Sequence, residues 1–207
     1  MRYATMTGIP DVDFEVSFAG HKAIPGKYSI ALKTGGQEVT TTAEILANPL
    51  YSTDLKTYQE YNTVMFQMEN ELRTMHKTVR EMDAKRQQLA QLLKDLPTEN
   101  AFKAVYTEGS LLVKKMHTWD EDMVQRKSKT YDDVENFPNK FTAEYMYLIN
   151  QTESDIPSVN KPSMDRKREL DAQWAGLKAT ATEILETTIP ALNKKLWALG
   201  VGGIWKK

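Results

Sequence analysis

The chain has 207 residues, with 27 Lys and Arg against 28 Asp and Glu, a net charge of −1 and no cysteine. Balanced charge argues against a general nucleic-acid or polyanion binder, and the missing cysteines exclude disulfides and thiol catalysis. No run of about twenty apolar residues is present to span a membrane, and the first ten residues lack the apolar core of a secretory signal.

Residues 1–48 read as β. Phe14, Val16 and Phe18 alternate with Glu15 and Ser17, the pattern of a half-buried strand. After a turn at Pro25-Gly26, Tyr28, Ile30 and Leu32 alternate with polar or small residues. Gly35-Gly36 is a tight hairpin signal, and Val39, Thr41, Ala43 and Ile45 return on the second arm. Two or three strands make a weak independent sheet. This one is therefore expected either to end a sandwich-like domain or to pack on helices.

Residues 49–207 read as a helical bundle. Ser52, Thr53 and Asp54 are good N-cap residues, and a long first helix is predicted over 54–96. Tyr58, Tyr61, Met65, Met68, Leu72, Met75, Val79, Met82, Leu89 and Leu93 recur at steps of three and four, interrupted only by Arg86. Pro97 ends that helix. A second runs to about Ser128 on Phe102, Val105, Leu112, Met116, Trp119 and Met123, with Gly109 permitting a close approach. A third is predicted from about Asn136 to Gln151, with Pro138 in its first turn. The fourth starts near Pro162, kinks at Pro190 and stops at the glycines from Gly200 onward. The fold class is α+β and predominantly α: an antiparallel bundle of about four helices with a short N-terminal β-hairpin.

Sites of chemistry are sparse. His21, His76 and His117 have no metal-pair spacing on one helix, although His76 and His117 could meet across the first two helices. Asp120-Glu121-Asp122 reads as a solvated face, because consecutive helical residues diverge. The seam methionines read as core rather than as an adaptable binding face. There is no nucleophile elbow, P-loop or dinucleotide fingerprint. No catalytic, cofactor or metal residue is assigned. Trp119, Trp205 and Tyr51 are the candidates for an interaction surface. A lesser alternative is a hydrolase site between sheet and bundle using His21, Tyr51 or Trp119.

The stretch GHKAIPGKYSIALKTGGQEVTTTAEILANP, the helix opening at STDL, NFPNKF (Asn136 to Phe141) and IPALNKKL (Ile189 to Leu196) carry a likeness across nearly the whole chain. They resemble the C-terminal region of large bacterial glycosyl hydrolase-like proteins with BNR or sortilin-like β-propeller repeats, common in Bacteroidetes. The resemblance implies a non-catalytic accessory module whose partner is an upstream propeller domain, in a secreted, periplasmic or surface protein. Any catalytic residues of that family would lie in the propeller, so none carries over. The alternative is a stand-alone interaction protein that forms a homo-oligomer along the long seam.

Overall fold

The computed structural model describes residues 20–128, 133 and 135–204. The strand expected at Phe14 to Phe18 lies outside them. Two strands, β1 (Gly26–Thr34) and β2 (Gln37–Ile45), pair antiparallel as a hairpin. Its two-residue loop needs left-handed backbone twice, and Gly35 and Gly36 supply it at φ 55° and 77°.

The first helix, α1 (Leu55–Asp95), has 41 residues and so spans about 60 Å. Asp54 caps it, accepting from the Thr57 N–H at 2.8 Å. Its stripe is core from end to end: Met65, Met68, Leu72, Met75, Val79, Met82 and Leu89 have no exposed surface. At about 1.5–3 kcal/mol for each large apolar side chain removed from water, this seam dominates the stability of the fold.

Two shorter helices cover α1 in tandem. The first, α2 (Lys103–Met123), follows a 3₁₀ turn at Asn100–Phe102 and runs antiparallel along the C-terminal half. Gly109 permits the expected close approach, for its backbone lies against the Leu93 side chain. The other, α3 (Phe141–Glu153), covers the N-terminal half, where the Tyr61 hydroxyl donates to the Glu153 carbonyl at 3.1 Å. The two meet end to end: Thr142 Oγ1 donates to the Met123 carbonyl at 2.9 Å, and Gln125 Nε2 to the Pro138 carbonyl at 3.0 Å.

The last rod closes the bundle. It comprises α4 (Lys161–Glu183), a π-helical turn (Ile184–Thr188) and α5 (Ile189–Ala198). Asn160 caps α4 by accepting from the Ser163 N–H. Trp119 Nε1 donates to the Leu177 carbonyl at 2.8 Å, Trp174 Nε1 to Glu71 Oε2 at 2.7 Å, and the Tyr145 hydroxyl to Asp171 Oδ1 at 2.8 Å. Gly200, at φ 74°, ends α5 with the Val201 N–H bonded back to the Leu196 carbonyl. Asn193 then pins the chain beyond by exchanging two hydrogen bonds with the Ile204 backbone.

Two local expectations are corrected, and a third is given its detail. The second helix stops at Met123 rather than near Ser128, because Arg126 folds back on Asp120 with contacts of 2.6 and 2.8 Å. The third begins at Phe141, leaving Pro138 in the connecting loop. At Pro190 the helix widens into the π turn just before it, with the Ile189 N–H reaching back five residues to the Ile184 carbonyl. A proline ring clashes with the carbonyl four residues earlier and offers no N–H, and the wider turn accommodates both.

Candidate functional site

The residues singled out from the sequence do not converge. His21 is buried: its backbone N–H donates to Glu69 Oε1 at 2.7 Å, and its ring Nδ1 lies 2.9 Å from the same oxygen. Nε2 lies 2.9 Å from Asn62 Oδ1, and Phe66 packs edge-on to the ring. Trp119 is buried between α2 and α4, so its ring presents no surface to a partner, contrary to expectation. Trp205 lies outside the described residues. Tyr51 is exposed, in the link between β2 and α1. His21, Tyr51 and Trp119 thus occupy three different environments and assemble no hydrolytic site.

The other histidines also part company. His76 is buried on α1, whereas His117 is exposed on α2, with its Nε2 3.6 Å from Glu121. Among the described residues no group of three or more His, Cys, Asp or Glu side chains could hold a metal. The acidic run divides as well. Glu121 and Asp122 face solvent as expected, but Asp120 is buried under the Arg126 guanidinium. The bidentate geometry and the burial mark a structural ion pair.

Exposed apolar side chains occur singly on the helices, at Tyr106, Leu111, Tyr147 and Trp197, and as a row on one face of the hairpin. The register sets Leu32 opposite Val39, Ile30 opposite Thr41 and Tyr28 opposite Ala43, so these side chains share one face. The other face carries Lys27 opposite Glu44 and a 3.1 Å Lys33–Glu38 ion pair. At the base the apolar face is partly covered, with the Tyr28 hydroxyl bonded to the Ile24 carbonyl at 2.7 Å. Toward the tip it is open: Leu32 is 64% and Val39 67% exposed.

The link to α1, at the base of the hairpin, also carries exposed apolar side chains. Leu46, Leu50, Tyr51 and Leu55 are all exposed, Leu50 at 87%. The link is ordered by a turn in which Asn48 accepts from the Leu50 and Tyr51 backbone N–H groups. Period-two alternation had marked the hairpin face, but a single pattern cannot tell which end of a face a bundle will cover. Leu50 carried no signal beyond its type.

Comparison with family models, with curated proteins and with solved structures finds no match for this chain. Among the described residues no helix is long and apolar enough to cross a membrane.

Proposed function

We propose that this chain is a non-catalytic accessory module that docks on a β domain through its hairpin. The observation that carries the reading is the open apolar face at Leu32 and Val39. A two-stranded ribbon is marginal in water, and an amphipathic one that leaves its apolar face wet asks for a cover.

Size decides between possible covers. Nine-residue strands and a width of two strands give a face of roughly 300 Å². Free partners that bind stably bury about 800 Å² each, which counts against association of the hairpin with a second copy of the chain. A partner joined covalently needs far less, because tethering supplies a high effective concentration. The resemblance to the C-terminal region of bacterial BNR-repeat propeller proteins supports the same partner, an upstream β domain of a longer polypeptide.

A photo-crosslinking residue placed at Leu32 tests this in the longest natural polypeptide that contains the chain. The expected product is an intrachain link to a β segment upstream of this sequence. A link between two copies, lost on Val39→Lys, would replace the tethered domain by a homo-oligomer. Turnover of any p-nitrophenyl glycoside by the chain alone would overturn the non-catalytic reading.

A further inference from the structure

The hairpin leaves its two backbone edges open. Gly35 and Gly36, both at positive φ, make a tight turn that closes on a hydrogen-bonded Thr34–Gln37 pair. Backbone groups alternate inward and outward from that pair, so Lys27, Ser29, Ala31 and Lys33 turn theirs away from β2. Glu38, Thr40, Thr42 and Glu44 likewise turn theirs away from β1. Among the described residues no third strand meets either row. The two edges differ in charge: lysines stand at both ends of the β1 row, glutamates at both ends of the β2 row.

The chain reaches the hairpin along a fixed path. Gly20 is buried, His21 is held on α1 by Glu69, and the Tyr28 hydroxyl donates to the Ile24 carbonyl at 2.7 Å. The preceding chain is thereby delivered to the base of β1. Just before that point the sequence alternates again, with Val12, Phe14, Val16 and Phe18 set between Asp11, Asp13, Glu15 and Ser17. Pro10 bounds the run upstream, so it covers eight residues, as many as Gly26 to Lys33.

We propose that residues 11–18 pair antiparallel along the outer edge of β1, as the third strand of the sheet. Seven residues separate Phe18 from Gly26. That suffices for an antiparallel return and falls short of the crossover of about a dozen or more that parallel pairing needs. Charge chooses the edge. Asp11, Asp13 and Glu15 meet Lys27 and Lys33 along β1, whereas along β2 they would meet Glu38 and Glu44. Lys33 already holds Glu38 at 3.1 Å, and an ammonium with three donors serves a second carboxylate as well. The faces choose the register. Phe14 opposite Ile30 sets Val12 opposite Leu32 and Asp11 opposite Lys33, with every apolar side chain on one face. A third strand is what a marginal ribbon lacks. The pairing widens the apolar face without covering it, and it does not depend on what docks there.

The test is amide exchange of the isotopically labelled chain, read by nuclear magnetic resonance at two concentrations about tenfold apart. Relative to their intrinsic rates, the amides of Ser29, Ala31 and Lys33 are expected to exchange at least about tenfold more slowly than those of Thr40 and Thr42, at either concentration. Fast exchange in both rows, or protection of Thr40 and Thr42 instead, would overturn the proposal. Protection that grows with concentration would also overturn it, because a second copy would then be covering the edge. The chain has no cysteine, so an engineered disulfide checks the register. Val12→Cys with Leu32→Cys is expected to close within one chain on mild oxidation, since opposite residues of a non-hydrogen-bonded pair have Cα atoms about 4.5 Å apart. Val12→Cys with Val39→Cys puts the second thiol one strand further away and is expected to stay reduced. The reverse result would overturn the proposal. Leu32 and Val39 are exposed, and the exchange measurement uses the unaltered chain, so it decides the matter even where a variant fails to fold.

Discussion

His21 holds Glu69 through two hydrogen bonds that end on one carboxylate oxygen, in a place from which water is nearly excluded. The two residues are 48 positions apart, and their contact ties the start of the hairpin to the side of α1. Glu69→Ala would leave both His21 donors buried without that acceptor. At about 1–3 kcal/mol for a stranded buried group, an overall loss of about 2–4 kcal/mol is expected in urea unfolding. Hydrogen exchange should rise first in β1 and β2. Unchanged exchange there would show that the hairpin is held by something else.

Gly109 and Leu93 form a second test pair. A Cβ built on Gly109 would fall 2.7 Å from Leu93 Cδ2, inside any real contact distance. Gly109→Ala gains about 1 kcal/mol of helix propensity and loses about 1–3 kcal/mol to overpacking, so a small net destabilisation is expected. Leu93→Ala alone should cost about 2–5 kcal/mol. In the double variant the new methyl enters the space that Leu93 vacates. The combined cost should fall short of the sum by at least about 1 kcal/mol, as read by a double-mutant cycle.

Burial keeps the Tyr145 phenol protonated well above its ordinary value near 10, and its hydrogen bond to Asp171 pushes in the same direction. The unfolded chain releases this proton near pH 10, while the folded chain holds it. Stability from this group is therefore complete below about pH 10 and falls as pH rises beyond it. Tyr145→Phe should cost roughly 1 kcal/mol at neutral pH and flatten the alkaline limb of a stability profile. An unaltered alkaline limb would exclude Tyr145 as its source.

The cap on α1 titrates at the other extreme. The Thr57 backbone N–H, helped by the Thr57 hydroxyl, holds the Asp54 carboxyl below its usual range. The unfolded chain takes up this proton more readily than the folded one, so the cap's contribution is present above about pH 4 and is lost as pH falls below it. Asp54→Asn should keep most of the cap while removing that acid dependence, and Asp54→Ala should lose both. Thermal unfolding between pH 2 and pH 6 distinguishes the three.

The long seam was legible because periodicity is a local property, and the methionines it marked are fully buried. Gly109 was legible for the same reason, as a small residue on an otherwise apolar stripe. What could not be read depends on partners distant in sequence or on geometry shared between neighbours. Trp119 looked equally suited to core or surface until the Leu177 carbonyl appeared opposite its N–H. Asp120 looked like its two exposed neighbours, because Arg126 reaches it only after the helix has ended. Pro190 was correctly seen as incompatible with an ordinary turn, yet the backbone widens beforehand.

The tandem placement of α2 and α3 along one unbroken α1 makes the bundle a ruler. The hairpin is clamped near Glu69, and the chain after α5 is clamped by Asn193, which the Lys195–Glu108 pair sets roughly level with Leu93. Those two levels are separated by about 35 Å of helix. Bodies fastened at the two clamps would be kept at a fixed stand-off, and shortening α1 by two turns would bring them about 11 Å closer.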